Sequence, residues 1–375
     1  MRSVYVAGIG ATEFAAHENT GLEQLGARAI ADALRDAGLD RTQVELIYVG
    51  HMSQGEVAGQ RILKEMAFPE VPVTNIENAC ASGSSAFREA WIAVGAGMAD
   101  VALVLGVEKL ATKGLIAMKT QSFEERVGHI MPGSYALAGE RHMAEHGSTV
   151  EDFAWIAAKN RNNGVANPKA MFRKGCTVEE VIASRKIAGP LTLLQCCGTA
   201  SGAAAVVLVG GKAARAAGRK SAKVRACALS SKMQWGEPED LSIFMPTNRA
   251  AKAAYEYAGI APEDVDIVEL HDAFTVGELL HYEGLMLCPR GGGADLVRSG
   301  ATAVGGRVPV NPSGGLLARG HPVGATGVVQ IAELVKQLRG TAEHHQVPGA
   351  KVALAQSQGG TGAGAGAAAV TILSL

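Results

Sequence analysis

The sequence predicts an α/β fold built from two duplicated α/β halves. Three observations carry this reading. Apolar strand-like runs alternate with helix-period segments along the chain, the pattern of sheets buried under helices. One helix–turn–strand unit occurs twice at a constant offset. Of the 375 residues, 47% are hydrophobic and only 19% charged, ample material for a core spread over about two domains.

In chain order, Val4–Val6 reads as a strand and Leu25–Ala37 as a helix closed by Gly38. Leu46–Val49 reads as the next strand. A β-leaning run from Val73 ends at Cys80, small residues fill Ala81–Ala86, and a helical pattern covers Phe87–Met98. Val101–Leu105 is a further buried strand. Residues 112–195 break this rhythm and scatter basic residues, among them Lys113, Lys119, Arg126, Arg141, Lys159, Arg161, Lys169, Arg173, Lys174, Arg185 and Lys186. They read either as solvated surface or as a lid whose cations meet a phosphorylated ligand. Strand character resumes at Ala203–Val209. The unit over Asp36–Ile47 then returns over Tyr257–Val268: helix end, C-cap glycine, polar turn, strand. This duplication divides the chain into halves over 1–220 and 221–375, with 112–195 inserted in the first.

The formal net charge is −1, so nucleic acid is not an expected partner. No apolar run reaches the roughly 20 residues that a membrane helix needs. The chain enters its first strand directly, which reads as no signal peptide, and Leu373-Ser-Leu375 is not the usual peroxisomal tripeptide. Cys80, Cys176, Cys196, Cys197, Cys227 and Cys288 form no CxxC pair, so no zinc site built from cysteines is expected, and the site set includes no metal. The cysteines read as reduced thiols in a cytoplasm. Gly8-Ile-Gly10 follows a strand, but Glu13 stands where a dinucleotide fingerprint needs its third glycine.

Cys80 is the residue that points to chemistry. A thiol at a helix start faces unpaired N–H groups, which favour thiolate and hence a nucleophile at neutral pH. A buried structural cysteine in a strand-to-helix turn fits that segment equally well. Two histidines weigh on the choice: His271 at a strand end, and His321 in the glycine-rich loop ahead of the helical run Val328–Leu338. Cysteine plus histidine is the minimum set for covalent acyl transfer, with the base taking the thiol proton. N–H groups at the helix start and in the Gly359-Gly360 turn suit an oxyanion.

Four segments, around Cys80, His271-Asp-Ala-Phe274, Asn311–Gly327 and Ala355–Gly364, resemble the thiolase superfamily, most closely its sterol-carrier-protein type. Leu194-Gln-Cys-Cys197 and Pro348–Leu354 agree as well, and the resemblance covers nearly the whole chain. It implies a thiolase fold: two α/β halves stacked in layers, buried central helices and a lid insertion. It implies coenzyme A thioesters as substrates, no tightly bound cofactor, and a homodimer or higher oligomer. In its terms Cys80 becomes acylated, His321 activates it, and His271 completes the thioester oxyanion site. The N–H groups of Cys80 and Gly359 form a second oxyanion hole.

The family's second cysteine is missing. Ala273 and Ser357 stand at its two usual places, and neither side chain can relay a proton as a thiolate does. His271, Glu278, Tyr282 or a group on a partner are the substitutes considered. Three readings follow: an acyl-CoA C-acyltransferase working through acyl-Cys80; a retro-aldol lyase on a 3-hydroxyacyl-CoA, working with a small OB-fold/zinc-ribbon partner; and a non-catalytic acyl-CoA or lipid-binding subunit.

Overall fold

The computed structural model describes residues 1–110, 126, 128, 130–210, 213, 221–233, 240–360 and 365–375. Lys113, Lys119, the insertion's first residues, the boundary at residue 220, Gly362 and Gly364 lie outside them.

Strand β1 (Val4–Ala11) leads into helix α1 (Leu22–Ala37). Leu22, Leu25, Ala29, Ile30, Ala33 and Leu34 form its buried stripe, and Gly38 ends it at φ 69°, a left-handed cap that suits glycine. Then come β2 (Leu46–Gly50), α2 (Ala58–Glu65), β3 (Val73–Ile76), α3 (Ser82–Ala96) and β4 (Val101–Glu108). The described residues that follow β4 supply α4 (Met131–His146), α5 (Val150–Val165), α6 (Val178–Ala183) and a small hairpin of β5 (Lys186–Ala188) and β6 (Leu191–Thr192). Strands β7 (Gly202–Gly210) and β8 (Ala222–Met233) follow, then α7 (Met245–Ala258), β9 (Ile267–Glu269), α8 (Thr275–Gly284), α9 (Gly293–Arg298), α10 (Gly315–Arg319), α11 (Thr326–Arg339), β10 (Val352–Gly360) and β11 (Ala365–Ser374).

Nine strands form one mixed sheet in the order β3-β2-β4-β7-β1-β8-β11-β10-β9. Its two ends mirror each other. β2 lies parallel to β4 and β9 parallel to β10, while β7 and β11 run antiparallel to their neighbours. The two portions meet where Tyr5 and Val6 face Lys223 and Ala222. The repeated unit is built the same way twice, with Gly38 and Gly259 both left-handed and each followed by a single 3-10 turn and a strand.

Side-chain alternation along the strands sets the layers. Ala102 and Val104 of β4 face the cluster of α3 and α11 with Phe87, Val94, Val328 and Leu334. Leu103 and Leu105 face α1 and α2 with Ile30 and Ile62. On β11, Leu373 joins the α3–α11 cluster while Val370 and Ile372 join Ala251, Tyr255 and Leu280 of α7 and α8. Both portions of the sheet therefore face the same central pair of helices, as the layered fold predicts.

Helix α3 starts at Ser82, ahead of the predicted Phe87. Its small residues were not a lead-in loop. They let the start of α11 approach: a Cβ on Gly83 would lie 2.5 Å from the Gly324 carbonyl oxygen. Gly8 and Gly10 are likewise spent on packing, their Cα atoms facing the backbone of α1. Among the described residues no helix is long and apolar enough to cross a membrane.

Candidate active site

Cys80 sits in the turn between β3 and α3. Ala79, just before it, is held at φ +49°, a left-handed conformation that is strained for alanine. Ala81 and Ser82 close the turn by donating to the Asn78 and Ala79 carbonyls. Ser357 Oγ donates to the Cys80 carbonyl at 3.0 Å, so this hydroxyl braces the nucleophile turn. A Cβ on Gly359 would meet the Cys80 nitrogen at 2.8 Å. Only glycine lets β10 run this close to the turn, and the closeness brings the two segments of the proposed second oxyanion hole together.

His321 approaches from the loop between α10 and α11. Its backbone N–H donates to the Gly198 carbonyl at 3.2 Å. The Gly324 N–H donates at 2.9 Å to Glu108, a buried carboxylate that also accepts from the Met52 and Ser53 N–H groups at 3.0 Å. Glu108 thus ties the end of β4 to the His321 loop. Within the loop, Thr326 Oγ1 donates to the Pro322 carbonyl at 3.0 Å and lies 2.7 Å from His321 Nδ1. Its proton is committed, so it accepts from Nδ1–H, and the network assigns the other nitrogen as the bare one. That nitrogen, Nε2, lies 3.3 Å from Cys80 Sγ. The arrangement reads S–H···Nε2, with the base poised to take the thiol proton.

His271 completes the cluster. Its ring stands edge-on to that of His321, centroids 5.1 Å apart, and the ligand atoms of Cys80, His271 and His321 all lie within 4.8 Å of one another. Three segments hold it. The Leu270 N–H donates to Asn311 Oδ1 at 2.8 Å and the His271 N–H to Gln356 Oε1 at 3.0 Å. Asp272 accepts from the Leu316 N–H at 2.7 Å and from Asn160 at 2.8 Å. His271 Nδ1 is buried without a partner among the described residues.

Burial sets the protonation states. It pushes the Cys80 thiol up to about 12, with Glu108 adding to the rise and the residue's own N–H opposing it. The expectation of a standing thiolate at the helix start is therefore corrected: desolvation outweighs the helix N-terminus, and the thiolate has to be made by transfer to His321. Burial also pushes His271 down to about 3 and His321 well below its ordinary value, so both rings rest neutral.

Glu278 and Tyr282 are engaged elsewhere. Glu278 accepts from Lys159 at 2.7 Å, Asn160 at 2.6 Å and Asn311 at 2.8 Å, and from the Tyr282 hydroxyl. Among the described residues these partners all lie outside the Cys80–His271–His321 cluster. Burial drives the Tyr282 phenol well above its ordinary value, with Glu278 adding to it. Ala273 is buried and its carbonyl accepts from the Cys197 N–H at 2.9 Å. The inserted cations divide. Lys159, Arg161 and Lys169 turn inward onto Glu278, the Leu194 carbonyl and the Ala11 carbonyl, whereas Arg173, Lys174, Arg185 and Lys186 are exposed. Glu108 and Asn160 were missed in the sequence, whereas Thr326 and Asn311 were read only as members of the Asn311–Gly327 segment, with no role of their own.

The family model described as "Thiolase, N-terminal domain" matches residues 4–212, and that described as "Thiolase C-terminal domain-like" matches 227–374. The chain is 42% identical to the benzoylsuccinyl-CoA thiolase subunit BbsB of Thauera aromatica, over 96% of this chain and 95% of that protein. It is 38% identical to sterol carrier protein 2 of Homo sapiens, over 96% of this chain and 70% of that protein. The solved structure titled "Ltp2-ChsH2(DUF35) aldolase" superposes with a TM-score of 0.86 at 26% identity, covering 99% of this chain and 97% of that one. Matched by the family's two models over 4–212 and 227–374, and 42% identical to one relative over nearly the full length of both chains, the chain belongs to the thiolase family of acyltransferases.

Proposed function

We propose that the protein transfers acyl groups between carbon and coenzyme A, cleaving a 3-oxoacyl-CoA with free CoA or condensing two thioesters, through an acyl-Cys80 intermediate. The observation that carries the reading is the 3.3 Å contact between Cys80 Sγ and the bare nitrogen of a neutral, oriented His321. The thiol proton moves to Nε2 as sulfur attacks the ketone carbonyl. The bond to the α-carbon then breaks, and that carbon must gain a proton. Ala273 has no group to give, and the Ser357 hydroxyl is bound to the Cys80 carbonyl. Glu278 and Tyr282 hold each other. His271 is then the group in the cluster left to pass the thiol's proton from His321 to that carbon and to hold the thioester oxyanion. Free CoA takes the acyl group from Cys80, and the proton of the CoA thiol passes by way of His321 to the leaving sulfur. Coenzyme A is a substrate, with no tightly bound cofactor. The reading includes the division near residue 220, the insertion over 112–195 as a lid, and a homodimer or higher oligomer.

The test is mass spectrometry after mixing with acetyl-CoA and a panel of 3-oxoacyl-CoA esters. An acyl adduct mapped to Cys80, absent in Cys80→Ala, is the expected result. No adduct from any ester would overturn the reading.

A second reading is a retro-aldol lyase paired with an OB-fold/zinc-ribbon subunit. Two observations favour it: the missing second thiol, and the likeness to a structure whose title names an aldolase with a DUF35 partner. It predicts that Cys80→Ala keeps full cleavage of a 3-hydroxyacyl-CoA once the partner is present.

A further inference from the structure

We propose that the Cys80–His271–His321 cluster binds Zn²⁺, or a thiophilic divalent cation like it, as a reversible inhibitory ligand. One thiol and two imidazoles form the donor set that such a cation selects over harder ions. Tetrahedral zinc, with bonds of about 2.3 Å to sulfur and about 2.0–2.1 Å to nitrogen, spaces its ligands roughly 3.4–3.6 Å apart. Cys80 Sγ and His321 Nε2 already stand 3.3 Å apart, and the three ligand atoms all lie within 4.8 Å of one another. Side-chain rotation closes the rest.

The surroundings favour the same occupant. Thr326 fixes the proton of His321 on Nδ1, which aims the lone pair of Nε2 at the sulfur, as outer partners do for metal-bound histidines. His271 Nδ1 is buried with no partner among the described residues, so no hydrogen bond at that nitrogen holds the ring in its present setting. The buried carboxylate of Glu108 and that of Glu77 place negative potential on Cys80, a field that draws a dication. Among the described residues the cluster gathers one sulfur and two imidazoles, with no second sulfur to complete a closed structural cage. Three protein ligands leave a fourth position for water or an incoming thiol, the pattern of open sites. On binding, the cation replaces the thiol proton of Cys80, which leaves to solvent, and no electron changes hands. Binding rests on donor geometry alone, whereas the inhibition rests on Cys80 being the nucleophile proposed above.

The test is titration of the metal-free full-length protein with Co²⁺, followed by competition with Zn²⁺. A thiolate-to-cobalt charge-transfer band should grow to one equivalent, release one proton per ion, and be bleached by Zn²⁺. It should vanish in Cys80→Ala and persist when Cys196 and Cys197 are both replaced by alanine. Thr326→Val should weaken cobalt by about 10–100-fold. A band that survives Cys80→Ala, or no band at all, overturns the site. A second arm adds acetyl-CoA with and without Zn²⁺. An adduct on Cys80 that zinc suppresses supports inhibition, whereas an adduct that forms equally with zinc bound overturns it. No adduct in metal-free protein from acetyl-CoA or from any ester of the 3-oxoacyl-CoA panel overturns the acyl-transfer reading, while the cobalt band still judges the site.

Discussion

Thr326 decides which face of His321 is basic, although it touches no substrate atom in the proposed reaction. Its hydroxyl is spent on the Pro322 carbonyl, so the proton of the ring must sit on Nδ1. Thr326→Val keeps the shape but strands a buried N–H, at a cost of about 1–3 kcal/mol. Because 1.4 kcal/mol is about tenfold in rate, the rate of Cys80 acylation should fall by roughly 10–100-fold, read by stopped-flow with CoA-thiol detection. An unchanged rate would mean that the tautomer does not matter. His271 leaves a mark on stability as well. Burial pushes it down to about 3 from an ordinary 6.5. Between those values the unfolded chain binds a proton that the folded chain refuses, so stability is lost as pH falls through the window. His271→Asn removes that share of the loss. Melting temperatures taken from about pH 7 to about pH 4 should decline less steeply in the variant; equal slopes would mean that the ring titrates normally in the fold.

The site depends on how closely elements approach one another. Helix α3 and the start of α11 meet through backbone and small side chains, which brings the Cys80 turn and the His321 loop together. Gly83→Ala would put a methyl 2.5 Å from the Gly324 carbonyl oxygen. Backbone on both sides gives little room to relax, so the variant should lose about 1–3 kcal/mol, the usual range for overpacking. Urea unfolding measures it, and a midpoint equal to the parent's would contradict the packing account. The same push on Gly324 should also slow acylation by displacing His321. The small run after Cys80 invited a reading as loop because its residues are weak helix formers on average. In the fold they are the first turns of a helix, since contact with α11 outweighs propensity.

At the scale of the molecule, helix α5 is fastened to α8 through a buried polar network. Lys159 and Asn160 of α5 reach Glu278 of α8, and Asn160 also reaches Asp272 beside His271. Glu278 is fully buried and Lys159 nearly so. Lys159→Met would strip a buried carboxylate of its cation, a change that costs about 3–5 kcal/mol where one partner of a buried pair is removed. The double variant with Glu278→Gln should recover part of that loss in denaturant unfolding; a double variant no more stable than the single one would argue against the pairing. The sequence by itself determined the α/β class, the repeated unit and the family, because alternation, cap glycines and turn residues are local properties that survive without a partner segment. It also singled out Cys80, His271 and His321 as residues able to carry chemistry. Only the tertiary structure decided that the three meet, that the sulfur rests as a thiol, which imidazole nitrogen faces it, and that Glu278 is tied to Lys159. Each of those depends on distance and burial between segments far apart along the chain, and no local pattern encodes how much water a side chain will lose.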